Sequence, residues 1–132
     1  MNGRTQIFLG LLGVGLLGQG ATSLLLDALG LAGNQLPQRF ANSDPLHASI
    51  HVIWGAAMIA LVLVGLSDAD ATRLALIFGV FYTGLAIAGL TIHHPLGMRL
   101  DRGENAFHLL VGPASLAVGL ASGLRRPRER AA

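Results

Sequence analysis

Apolar residues fall in four long blocks along the chain, separated by short polar stretches. Residues 7–29 read IFLGLLGVGLLGQGATSLLLDAL and residues 46–66 read LHASIHVIWGAAMIALVLVGL. Residues 74–92 read LALIFGVFYTGLAIAGLTI and residues 106–124 read AFHLLVGPASLAVGLASGL. Each block is about 19–23 residues, and a helix needs about 20 to cross a hydrocarbon core of about 30 Å. Helices satisfy their own backbone hydrogen bonds in lipid, whereas barrel strands would be about half as long and alternate in polarity. The pattern predicts an all-α integral membrane four-helix bundle forming a single transmembrane domain over residues 1–132. The first block follows Arg4 and resembles a signal peptide, but its apolar run is too long and no A-x-A site follows it. It is expected to remain as the first spanning helix.

Composition agrees with this reading. Of 132 residues, 52% are hydrophobic and only 12% charged, about half the charge that a soluble domain carries. With no cysteine, disulfides, thiol catalysis and cysteine-ligated metals are excluded. All nine basic residues are arginine. They sit at chain ends and helix flanks rather than in a patch, so nucleic acid is not an expected partner despite a pI near 10.5. Arg4, Arg73, Arg125, Arg126, Arg128 and Arg130 fall on one side of the bilayer, and Arg39, Arg99 and Arg102 on the other. The positive-inside rule then places both termini in the cytoplasm. The basic tail, residues 125–132, is expected to anchor this topology and to be able to meet anionic head groups.

The halves of the chain resemble each other. Gly10, Gly15 and Gly20 in the first block match Gly79, Gly84 and Gly89 in the third, while Asp44, His51 and Gly55 match Asp101, His108 and Gly112. Each half would contain two spans, so the copies enter the membrane in the same orientation, as two parallel two-helix repeats. The expected role of these glycines, Gly55 and Gly112 included, is close helix packing, because helices in lipid associate through small residues. Gly13 and Gly18 add to the small-residue density of the first block.

All five histidines fall on the non-cytoplasmic side: His47, His51, His93, His94 and His108, with Asp27, Asp44, Asp101 and Glu104 at the same level. Ionisable residues at membrane depth are functional candidates by default. Three uses fit the residues. His51 and His108 can hydrogen-bond to neighbouring helices and pin the outer end of the bundle. They can ligate a divalent metal, with His47 one turn from His51 and acids nearby. They can also be the two axial ligands of a haem, with one imidazole from each of two helices. In the first block, Gln19, Thr22 and Ser23 are expected to be buried and to bond between helices. Trp54 is too deep for an interfacial anchor and is expected against lipid or a partner. No nucleophile–base pair, phosphate-binding loop or pair of mid-membrane carboxylates is present, so no catalytic residue and no enzymatic activity are expected.

The segments LIFGVFYTGLAIAGL, DPLHASIHVIWGAAMIAL and DRGENAFHLLVGPASLAVGL resemble a family of small bacterial four-helix membrane proteins known only as a domain of unknown function. The resemblance spans about the C-terminal two-thirds of the chain. It implies a four-span bundle with a histidine in the second and fourth helices, here His51 and His108, and it implies no established activity. The expected function is that of a non-enzymatic accessory or scaffolding subunit, in contact with lipid and other membrane subunits in the bacterial inner membrane. The alternative is a haem- or metal-binding redox protein using His51 and His108, and no cofactor is the leading expectation.

Overall fold

The computed structural model describes residues 3–31, 44–92, 95–98, 100 and 102–130, with side chains up to residue 124. Four α-helices account for nearly all of it: α1 (Arg4–Ala28), α2 (Pro45–Val64), α3 (Asp68–Thr91) and α4 (Arg102–Arg130). A 3-10 turn, Pro95–Gly97, lies between α3 and α4. All four helices are long and apolar enough to cross a membrane. Among the described residues there is no strand. Residues 32–43, His93, His94, Arg99 and Asp101 of the expected loops lie outside the described residues, as does the proposed match of Asp101 to Asp44.

The helix ends follow their capping chemistry rather than the apolar blocks alone. Asp44 caps α2 by accepting from the Leu46 amide at 3.0 Å, with Pro45 in the first turn. Gly65 closes α2 at φ 95°, a left-handed conformation suited to glycine. The helix therefore stops at Val64, before the end of the apolar block at Leu66. α3 begins six residues earlier than the apolar block. The Ser67 hydroxyl accepts from the Asp70 amide at 3.1 Å, and Asp68 and Asp70 occupy the positive first turn. At its far end α4 runs on as helix to Arg130, so most of the expected tail continues the helix.

The helices associate as two hairpins, α1 with α2 and α3 with α4, with a looser seam between the pairs. Glycines set the closeness within each hairpin. A Cβ added at Gly55 would lie 2.5 Å from the Leu17 amide nitrogen and 2.6 Å from the Gly13 carbonyl oxygen. One at Gly20 would lie 2.5 Å from the Ala48 carbonyl oxygen. In the second hairpin, a Cβ at Gly112 would lie 2.6 Å from the Thr83 backbone, and one at Gly79 would lie 2.7 Å from the Leu116 backbone. Gly89 faces the Asn105 side chain, whose Nδ2 donates to the Gly89 carbonyl at 3.2 Å.

The five-residue ladder does not act as one packing row. Gly15 and Gly84 have nothing within 4 Å of a Cβ, and Gly10 has only Val62 at 3.8 Å. Five residues turn a helix by about 140°, so successive members cannot all face one neighbour. Gly119, which packs on Leu76, lies outside the ladder.

Larger side chains fill the seam between the hairpins. Leu9 and Leu16 of α1, Met58 of α2, Phe78 and Tyr82 of α3 and Val111 of α4 form the core. Trp54 packs on this core, edge to face with Phe78 at 6.1 Å, instead of pointing wholly to lipid or a partner. Thr22 is exposed while Ser23 is buried, a correction to the expectation that both are buried; adjacent helical positions differ by about 100°. The outer faces carry bare Ile7, Leu11, Ile53, Leu63, Val80 and Leu110.

At the end that holds the termini, Thr5 and Ser122 share a hydrogen bond of 2.6 Å. Gln6 Nε2 donates to Asp68 Oδ1 at 2.7 Å and to the Leu66 carbonyl at 3.2 Å. At the other end, Met98 and Leu100 of the α3–α4 connection fold inward on Leu85 and Ile50.

Candidate metal centre

The end remote from the termini holds a cluster of buried histidines. His47 and His51 stand one turn apart on α2, so both project from the same face. Their ring centroids are 4.4 Å apart. His108 of α4 meets them across the seam, its ring 5.2 Å from that of His47 and 6.1 Å from that of His51. The three residues are 1%, 0% and 0% exposed in the order His47, His51, His108. One ring nitrogen from each forms a group whose members all lie within 4.8 Å of one another.

Neighbouring residues position these rings. Gly20 of α1 leaves the space into which His51 reaches, since a Cβ there would lie 3.0 Å from the His51 Cβ. Gln19, beside it, accepts a hydrogen bond at Oε1 from His51 Nδ1. Glu104, in the first turn of α4, is 6% exposed, and its Oε2 lies 3.5 Å from His47 Nδ1. Tyr82 and Phe107 wall the cluster: the Tyr82 ring is 5.0 Å from His108, and the Phe107 ring 5.9 Å from His51.

Five buried imidazole nitrogens have no hydrogen-bond partner among the described residues: both of His47, both of His108, and Nε2 of His51. Unpaired buried polar atoms elsewhere are scattered oxygens, such as those of Ser23 and Thr83. A buried polar group without a partner costs about 1–3 kcal/mol, so these nitrogens call for a partner such as an ordered water or an ion.

The donor set suits a first-row transition metal. Imidazole binds zinc, copper, iron or nickel, whereas magnesium and calcium take oxygen ligands. Bonds of about 2.0–2.1 Å in tetrahedral geometry put two nitrogens about 3.4 Å apart. The present spacing closes to that by about 1.4 Å or less, within the reach of ring rotation. A haem does not fit. Its porphyrin would have to lie between His51 and His108, where the rings of His47 and Tyr82 already stand.

All three histidines named from the sequence thus meet at one point, whereas His93 and His94 lie outside the described residues. The part of Glu104 was not legible in the sequence. An acid in the first turn of a helix reads as a complement to the helix dipole, and only the packing of α4 on α2 turns it toward His47. Gln19 was legible as an interhelical donor or acceptor, but not its partner. No protein-family model, curated protein or solved structure matches the chain.

Proposed function

We propose that this chain is a multi-pass membrane protein that binds one divalent first-row transition metal ion, of the zinc or copper class, through His47, His51 and His108. The observation that carries the reading is the group of three fully buried imidazoles with five unpartnered nitrogens. A cation shared by the rings would give a nitrogen of each a partner that no described side chain supplies. Metal analysis of the protein purified in mild detergent tests it. Near-stoichiometric zinc or copper is expected in the wild type, and His108→Ala should lose most of it. A wild type that takes up neither metal at neutral pH would refute the proposal.

The same reading includes an origin in two parallel repeats. One offset, 57 residues, relates Gly55 to Gly112, His51 to His108 and His47 to Glu104. The offset supports descent of α2 and α4 from one ancestral helix, with the His47–Glu104 contact joining equivalent positions. The arginine distribution supports cytoplasmic termini, which would put the metal centre near the opposite surface of a bacterial inner membrane. Cysteines introduced near Pro95 should label from the non-cytoplasmic side; labelling only from the cytoplasm would reverse the topology.

A second reading, that the chain is an accessory subunit of a larger membrane complex, is favoured by the bare surface at Gly15, Gly18 and Gly84. Such positions accept a partner helix closely. Both readings can hold together. A strictly monomeric species with no co-purifying protein would count against this one.

A further inference from the structure

Around the three imidazoles, two oxygen-bearing side chains occupy corresponding places. Gln19 Oε1 accepts from Nδ1 of His51, and Glu104 Oε2 stands 3.5 Å from Nδ1 of His47, a close contact short of a hydrogen bond. Each comes from a helix other than the one carrying its histidine, and each meets the ring on the nitrogen nearer the backbone. Neither is itself in the three-nitrogen group. A neutral imidazole carries one proton, and an oxygen acceptor at Nδ1 keeps the proton on that nitrogen. The lone pair is then confined to Nε2, and Nε2 of both rings is buried without a hydrogen-bond partner among the described residues. Metal-ligating histidines use this arrangement, one ring nitrogen held by a carboxylate or carbonyl while the other binds the ion.

We infer that Gln19 and Glu104 are outer-sphere positioning residues that hold His51 and His47 as Nδ1–H tautomers, presenting both Nε2 atoms to one metal ion. The inference rests on the metal-binding reading above. Gln19 offers an amide oxygen and Glu104 a carboxyl oxygen. The metal centre thereby draws on three helices: α1 for Gln19, α2 for His47 and His51, and α4 for His108 and Glu104.

Two measurements on the full-length protein in detergent test this. Nitrogen-15 NMR of histidine-labelled, metal-free protein reads the tautomers directly. Nδ1–H is expected for His47 and His51, and Nε2–H at both would overturn the assignment. Affinity for Co(II), followed by its visible spectrum and by competition with a chelator, reads the consequence. Gln19→Leu and Glu104→Leu should each weaken binding by about 10–100-fold. Gln19→Glu and Glu104→Gln, which keep an oxygen acceptor, should recover most of it. Leucine variants that bind as tightly as wild type would remove the positioning roles while leaving the site, as would conservative variants as weak as the leucine ones. A wild type that takes up no Co(II) would remove the site itself.

Discussion

The glycines divide into two groups once their neighbours are known. A methyl carbon added at Gly20 or Gly55 would meet backbone atoms at 2.5 Å, whereas one at Gly15 would meet nothing within 4 Å. Gly20→Ala and Gly55→Ala should therefore each cost about 1–3 kcal/mol, because α1 and α2 would have to separate. Gly15→Ala should be neutral or gain up to about 1 kcal/mol from helix propensity. Unfolding in mixed micelles with increasing SDS would read the difference. Equal destabilisation by all three would show that the glycines act through the helices themselves rather than through contact. Gly20 has a second consequence, since it admits His51. Its alanine variant should also lower metal affinity, which Gly15→Ala should leave unchanged.

Capping adjusts where the elements begin and end within the limits that hydropathy sets. The Ser67 hydroxyl accepts from the Asp70 amide and donates to Asp70 Oδ2 at 2.5 Å, so α3 starts in the charged stretch ahead of its apolar block. Ser67→Ala should cost about 1 kcal/mol, read as a lower midpoint in the same unfolding assay, with metal binding unchanged. An unchanged midpoint would mean that the Gln6–Asp68 and Gln6–Leu66 bonds hold this turn without the cap. At the opposite end, the α3–α4 connection turns through Leu96 at φ 57° and Gly97 at φ 78°. This turn brings Met98 and Leu100 under the bundle end that carries the histidines.

Across the whole molecule, the two hairpins are each tightly packed but meet each other through side chains. A metal ion held by α2 and α4 would tie the hairpins together at the end remote from the Thr5–Ser122 contact. An ion that binds only the folded state stabilises it by about 2.7 kcal/mol at a hundredfold excess over Kd. Adding a chelator should therefore lower the thermal midpoint of wild type, and have little effect on His51→Ala. A midpoint indifferent to chelation in wild type would rule out a metal tie between the hairpins. Loading should also fall with acidification. Protons compete with the ion for the imidazole nitrogens of His47, His51 and His108. Binding releases protons wherever these rings are protonated in the free protein, so affinity should rise with pH and then level off.

Four helices of membrane-spanning length follow from the sequence alone, because a run of about 20 apolar residues has few other stable states. Their order and approximate limits follow for the same reason. The burial of His51 and His108 was also legible, since an imidazole inside an apolar block demands a partner. Their convergence was not. The spacing of His47 and His51 puts them on one face of α2, but only the packing of α4 brings His108 to within 6.1 Å of His51 and Glu104 to within 3.5 Å of His47. Which glycines touch, which way Trp54 turns and which acid faces the cluster likewise depend on how each helix is rotated about its axis. That rotation is set by the fit of surfaces between helices, and a helix that is apolar all round carries little record of it in its own periodicity.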